Sequence, residues 1–407
     1  MTTFATTSAV LGGLLVGGAL LSGLARRSML SLAAVFVVAG FLLGQGAIGV
    51  LHYHTHSGFV TDLATVALIV ILFRDGLEVD SELLQSHWHL PLRKLVVAMP
   101  VTAVIVAAVT HWLVGLGWTE SFLLGALLSP TDPVLSSAVV TDPRVPRVVR
   151  HSLNLESGLN DGLALPAVLA FAAALDPHET HFVWWHYVLQ DIGLGLAFGL
   201  VCGGIGSLLL PPGERGAGRP IPDHQKALYG LGLAFITYGL AVLPPHGNGF
   251  IAVFVAAIVI GVRRPDLRHE FAEHSQVLVD VVKLAIFAVF GSLLTLHGIF
   301  GDGWAAVGVV AVTFLVARPV AVWLALAGTR VPPSWKAFMA WFGPKGIATM
   351  AFALLILSRN IEAGPRVYNI AALAVFASII LHGLSDTPGA KWIARRSRDP
   401  DAVPVAA

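Results

Sequence analysis

Cysteine and charge are both scarce in this chain of 407 residues. The single cysteine, Cys202, cannot form an intramolecular disulfide, and it excludes a metal centre built from several thiolates. Lys, Arg, Asp and Glu together make up 12% of the residues, and the formal net charge is +1. The surface is therefore not broadly basic, and we expect no nucleic-acid partner.

The motifs of several enzyme and pump classes are also missing. The sequence contains no His-Glu-x-x-His zinc motif, no Gly-x-Ser-x-Gly elbow and no Walker loop. We therefore expect neither an enzyme nor an ATP-driven pump, and we expect no cofactor.

Apolar residues are abundant. They make up 56% of the chain, and the mean hydropathy of +0.78 is typical of a polytopic membrane protein rather than a soluble one. With about 20 residues per span, these segments fill the chain and leave no room for an appended soluble domain. About thirteen apolar segments can be marked, at 9–25, 29–51, 59–77, 95–117, 121–140, 151–175, 183–210, 225–243, 249–262, 275–297, 303–327, 335–357 and 366–385.

The basic residues indicate how the chain is oriented. Arg26 and Arg27 follow the first apolar run, the reverse of a signal peptide's layout, so we interpret this run as a retained span. Most other basic residues lie on alternate connections, which predicts a multi-pass protein of the cell membrane with the N-terminus outside and the C-terminus cytoplasmic. They are Arg93, Lys94, Arg144, Arg147, Arg150, Arg215, Arg219, Lys226, Arg263, Arg264, Arg268, Arg330, Lys336, Lys391, Arg395 and Arg396.

An odd number of spans permits two halves of opposite orientation. We predict a first repeat at 1–182, a linker helix and cytoplasmic loop at 183–224, a second repeat at 225–390 and a short cytoplasmic tail at 391–407. The fifth span of each half is interrupted, by Pro130 and Pro133 in the first and by Gly343, Pro344 and Gly346 in the second. Matched interruptions are typical of inverted repeats in secondary transporters, where the broken helices meet near the membrane midplane.

Carboxylates lie inside two of the apolar segments. An ionisable group at bilayer depth costs several kcal/mol and is rarely kept without a function. Asp161 and Ser157 share one helical face, and Asp132 follows Thr131 at the first break. Their oxygens suit a small hard cation, and the same carboxylate can instead take a proton. One group cannot hold both.

Other charged residues receive structural interpretations. Glu156 and Arg318 have opposite charge and similar predicted depth, so we expect a structural ion pair between the two halves. Lys345, in the second break, is expected to offset the charge of the carboxylates and helix ends. Charges near the inner end of the third span are expected to be solvated, with a role in cation entry as the alternative. The histidines of the outer face are expected to lie in solvated loops. These residues are Asp75, Glu78 and Asp80, together with His52, His54, His56, His178, His181 and His186.

On these residues the chain resembles the monovalent cation/proton antiporter superfamily, in its sodium/proton exchanger branch with an Asn-Asp pair. The motifs are Thr131-Asp132-Pro133, Glu156 to Asp161, Arg318, and Gly343-Pro344-Lys345-Gly346. The resemblance implies a homodimer in the lipid bilayer, with its first spans at the interface. It also implies a shared cation and proton carrier at Asp161, aided by Asp132, Thr131 and Ser157.

Three further points follow from the resemblance. In this branch Asn160 occupies a position where electrogenic relatives carry a second aspartate, and asparagine does not titrate. We therefore predict exchange of one proton per monovalent cation, with Na⁺ as the first candidate; titration of Asp132 or Lys345 would raise the number of protons. Arg74 stands where some relatives carry an acidic residue, which argues against a ligand from the third span.

Alternatives from other classes also fit part of the pattern. A K⁺/H⁺ antiporter of the same fold differs only in selectivity, which the sequence does not specify. Two intramembrane aspartates could also form the dyad of an aspartyl protease, although such an enzyme needs neither a buried Glu-Arg pair nor matched breaks. A passive channel would differ from an exchanger in moving cations only downhill.

Overall fold

The computed structural model describes residues 4–25, 32–53, 58–79, 89–132, 139, 141–177, 183–210, 221–359 and 361–397. Within this part of the chain the regular structure is helical. The helices are α1 (Phe4–Ala25), α2 (Leu32–Leu43), α3 (Gly58–Leu77), α4 (His89–Val114), α5 (Trp118–Leu128), α6 (Arg147–Ala174), α7 (Trp184–Leu209), α8 (Asp223–Val242), α9 (Gly249–Arg263), α10 (Pro265–His274), α11 (Gln276–Ser292), α12 (Leu296–Ile299), α13 (Gly303–Ala325), α14 (Pro333–Trp341), α15 (Ile347–Ser358) and α16 (Gly364–Arg396).

The predicted all-α polytopic membrane fold is confirmed. Every apolar segment marked in the sequence contains at least part of one of these helices. By length and composition α4, α6, α7, α13 and α16 could each cross a membrane alone, and α10 with α11 forms a pair bent by 58°. The apolar part of α1 and the apolar helices α2, α5, α9 and α15 are shorter. Of these, α5 ends at the first predicted break and α15 begins at the second.

Some predictions concern residues that the structure does not describe. They are Arg26, Arg27, His54, His56, Asp80, Pro133, His178, His181, Arg215, Arg219 and residues 398–407.

Small residues allow helix backbones to touch. A Cβ atom on Gly40 of α2 would collide with the carbonyl of Ala288 in α11, and one on Gly291 would collide with the carbonyl of Val37. Glycine is therefore required on both sides of this contact, as in close helix pairs of membrane proteins.

Two helices contain a π-helical turn next to a proline. The turn in α4 covers Lys94–Ala98 and the turn in α13 covers Thr313–Ala317, while Pro100 and Pro319 follow them closely. Proline has no N–H to continue the helical ladder, and a widened turn accommodates that loss. Lys94 begins one of these turns and Arg318 follows the other.

The two predicted breaks meet in space. Helix α5 ends at Leu128 and the chain is not helical from Ser129 to Asp132. In the second half, α14 ends at Trp341 and α15 begins at Ile347. The Asp132 amide donates to the Pro344 carbonyl at 2.8 Å, so the unwound segments are in direct contact.

Candidate functional site

Each break carries a charged side chain that forms hydrogen bonds with the backbone at the other break. The Ile347 amide, at the start of α15, donates to Asp132 Oδ2 at 3.0 Å. Lys345 Nζ donates to the Pro130 carbonyl at 3.0 Å and to the Ser129 carbonyl at 3.5 Å, just beyond the end of α5. A carboxylate at a helix N-terminus and an ammonium at a helix C-terminus both interact favourably with the helix dipole. This arrangement favours the charge-compensating role expected of Lys345.

Asn160 fixes the position of Thr131. Its Nδ2 group donates to the Thr131 carbonyl at 2.8 Å and to Thr131 Oγ1 at 3.0 Å. The Thr131 carbonyl can only accept a hydrogen bond, so the nitrogen of the Asn160 amide, and not its oxygen, must face it. Asn160 therefore acts as scaffold for the first break.

Asp161 belongs to a group of charged residues that are buried or partly buried. It is 4% exposed, and Ser157, one helical turn earlier, is 8% exposed. Asp161 interacts electrostatically with Asp75 and Asp132, and also with Arg74 and Lys345. The structure thus brings together the carboxylates predicted from the fifth and sixth spans, and it adds a third.

The expectation that the charges near the inner end of the third span are solvated is wrong for the added carboxylate, Asp75. Asp75 is 5% exposed and forms an ion pair with Arg74 at 2.8 Å. It lies in the last turn of α3, against which α9 packs closely at Gly76 and Gly261. The expectation holds for Glu78, whose side chain is 52% exposed. An acidic residue from this span thus joins the group, despite Arg74 at the preceding position.

Lys283 was not singled out in the sequence. It is 5% exposed in α11 and interacts electrostatically with Asp75, Asp132 and Arg74. Its signal was available, because a lysine in the middle of an apolar span is as costly as a carboxylate. We call Asp75, Asp132, Asp161, Arg74 and Lys283 the site cluster.

Glu156 is held by two cations rather than one. Arg318 Nη1 lies 3.0 Å from Oε1, and Lys94 Nζ lies 2.6 Å from Oε2. Arg318 Nη2 also donates to the carbonyls of Met339 and Phe342, both at 3.2 Å. The predicted pair is therefore part of a clamp formed by Glu156, Arg318 and Lys94, in which α4, α6 and α13 meet. In the sequence Lys94 directly follows Arg93, a position typical of a loop cation, so the sequence alone does not predict this contact.

The described outer-face histidines lie apart from the site cluster. His52 is exposed, and His186 lines a cavity of about 380 Å³ together with Asp191, His246 and Arg359. Among the described residues, the group of side chains close enough to share a metal ion is instead Glu270, Glu273 and His274 in α10.

A family model described as "Sodium/hydrogen exchanger, transmembrane" matches residues 13–392. The chain belongs to the sodium/hydrogen exchanger family. The superfamily inferred from the motifs is thereby confirmed.

Similar proteins include antiporters named for different cations. The chain is 25% identical over 369 residues to the K(+)/H(+) antiporter NhaP of Alkalimonas amylolytica, covering 88% of this chain but 62% of that protein. It is 26% identical over 352 residues to the Na(+)/H(+) antiporter NhaP of Pseudomonas aeruginosa, covering 80% of each. The structure of the sodium proton antiporter MjNhaP1 from Methanocaldococcus jannaschii matches with a TM-score of 0.80 at 18% identity, over 95% of this chain and 98% of that one. The chain therefore shares the MjNhaP1 fold.

Proposed function

We propose that this protein is a secondary antiporter that exchanges a monovalent cation for a proton, with Asp161 as their shared carrier. The observation that carries the proposal is a buried carboxylate, Asp161, grouped with Asp132 where the two unwound segments contact each other. Unwound backbone and buried charge are both costly in a membrane, and an ion site accounts for both.

The charge balance of the site favours a monovalent ion. Arg74, Lys283 and Lys345 offset much of the negative charge of the carboxylates Asp75, Asp132 and Asp161. A site for a divalent ion keeps an excess of carboxylate charge. Competition between cation and proton for Asp161 then gives one proton per cation, and Asn160 adds no titrating group.

The candidate ligands differ in whether hydrogen bonds from neighbouring elements already fix their positions. Asp132 and Thr131 each hold a hydrogen bond from a neighbouring element, so their oxygens are positioned before a cation arrives. Asp161 and Ser157 lie on one face of α6, and Asn160 contributes by orienting Thr131. Preorganised oxygens lower the cost of ordering the ligands, so more of the interaction free energy remains to offset the loss of water from the ion.

Either Na⁺ or K⁺ fits the proposal. Na⁺ is the first candidate because MjNhaP1 and the Pseudomonas relative are named as sodium antiporters. K⁺ is the second, because the Alkalimonas relative is named as a potassium antiporter.

The proposed orientation, with the N-terminus outside and the C-terminus cytoplasmic, and the proposed homodimer are supported by different observations. Span ends that the basic residues assign to the cytoplasmic side contact one another: Arg93 donates to the Ala327 carbonyl, and the Trp335 indole donates to Ser397.

Helix α1 has an open face of small residues. A Cβ added at Gly13 or Gly17 would meet nothing within 4 Å. Such an open small-residue face allows a second helix to approach, which supports a homodimer formed through the first spans.

An imposed pH gradient tests this function directly. We expect sealed proteoliposomes with an acidic lumen to accumulate external Na⁺ or K⁺ against its concentration gradient, because outward proton flow drives uptake. Cation movement that only ever follows the cation's own gradient would indicate a channel. Protein-free liposomes are the control.

A further inference from the structure

A small polar cavity separates the Glu156 clamp from the scaffold of the cation site. Its volume is about 10 Å³. It is lined by the π-helical part of α4, including Lys94 and Ala98, and by Ser129, Asn160 and Arg318. A space of this size holds about one water molecule.

One wall of the cavity carries an unsatisfied acceptor. Asn160 is 2% exposed, and its Oδ1 atom has no hydrogen-bond partner among the described residues. Exchanging the amide oxygen and nitrogen cannot remove this, because Nδ2 donates to two Thr131 oxygens. A buried acceptor without a partner costs about 1–3 kcal/mol.

The lining of the cavity also offers a donor. Lys94 is 1% exposed, and its ammonium has three N–H bonds, two of which go to Glu156 and the Ser152 carbonyl. The third N–H remains available among the described residues. Three charged residues line the cavity: Lys94, Arg318 and Glu156. A transported cation is disfavoured here because the two cations outnumber the one carboxylate.

We propose that this cavity binds a single water molecule that accepts a hydrogen bond from Lys94 Nζ and donates one to Asn160 Oδ1. The water links the clamp to Asn160, and Asn160 in turn holds the carbonyl and hydroxyl of Thr131. Lys94 is thus a positioning residue for the cation site, acting through water and Asn160. This consequence rests on the proposed function, whereas the water site itself does not.

The water site is tested by a density map of the wild-type protein at a resolution that shows ordered water. We expect a peak within hydrogen-bond distance, about 2.7–3.2 Å, of both Lys94 Nζ and Asn160 Oδ1. A map that shows other ordered waters but none in this cavity overturns the proposal, whether or not the protein exchanges cations.

The functional consequence is tested with Ala98→Val, which fills the cavity and leaves every polar group in place. Losing the bridge is expected to raise the KM for Na⁺ by about three- to tenfold, the equivalent of one hydrogen bond, with little change in kcat. Lys94→Met should give at least the same rise. An unchanged KM in a folded Ala98→Val variant whose cavity density is lost contradicts the positioning role.

Lys336→Met is the matched control for the lysine variant. Lys336 is also buried, and it donates to the Leu326 carbonyl at 2.7 Å, but it does not line the cavity. Its loss should lower stability without raising KM. If Lys336→Met raises KM as much as Lys94→Met does, the effect is general destabilisation and the positioning role is wrong. If wild-type protein shows no exchange, the proposed function fails, and the density map still decides the water site.

Discussion

Asp161→Asn is expected to abolish cation/proton exchange while leaving the protein folded. The amide has nearly the same volume as the carboxylate, but it neither takes up a proton near neutral pH nor brings a charge to the cation. Exchange is measured in proteoliposomes under a pH gradient, and folding by thermal unfolding and size-exclusion chromatography. The expected activity is indistinguishable from that of protein-free liposomes.

Asp132→Asn provides a graded comparison. An amide oxygen at this position can still accept the hydrogen bond from Ile347, so the start of α15 remains capped. We expect weaker apparent cation affinity but residual exchange. Asp223→Asn, which changes an exposed carboxylate on α8, should leave exchange at the wild-type rate. Near wild-type exchange by a folded Asp161→Asn variant would move the carrier to another residue.

Glu156→Gln is expected to destabilise the protein more than Arg318→Gln. Removing the carboxylate leaves Lys94 and Arg318 as buried cations without their partner, at a cost of about 3–5 kcal/mol for a broken buried pair. Removing Arg318 leaves Glu156 paired with Lys94 at 2.6 Å, so part of the interaction survives. The sequence alone predicted a two-residue pair and therefore no such asymmetry.

The comparison is made by thermal unfolding of the two single variants and of the double variant. The double neutralisation should cost less than the sum of the single changes, because it removes charge of both signs. Asp302→Asn is the control: it breaks an exposed pair with Arg366, for which a loss of about 0–1 kcal/mol is expected. Equal single effects that simply add would show that Glu156 and Arg318 are not energetic partners.

Hydropathy and helix breakers were sufficient to predict the fold class. Each marked segment contains helix, because apolar runs of span length have few alternatives in a membrane. The breaks were visible because Pro130 and Pro344 cannot continue a helix. Their mutual contact followed from matching positions in the two halves.

Individual partners were harder to predict than elements. Lys94 and Asp75 both lie near predicted span ends, where a charge is usually solvated, and the sequence gives no sign that neighbouring helices cover them. Lys283 lies within a span but has no motif around it. Whether a terminal charge is buried depends on tertiary packing, here of α9 on the end of α3 and of α13 on the start of α4.

The most direct test of one-for-one exchange at Asp161 is the dependence of exchange on membrane potential. In proteoliposomes the potential is fixed at several values with potassium and valinomycin, and sodium uptake is followed with and without a pH gradient. The same potassium gradients without valinomycin are the control for K⁺ transport by the protein itself. We expect uptake driven by the pH gradient to proceed at the same rate at every potential, and no net sodium movement at balanced ion gradients. Net sodium movement driven by potential alone would contradict this account.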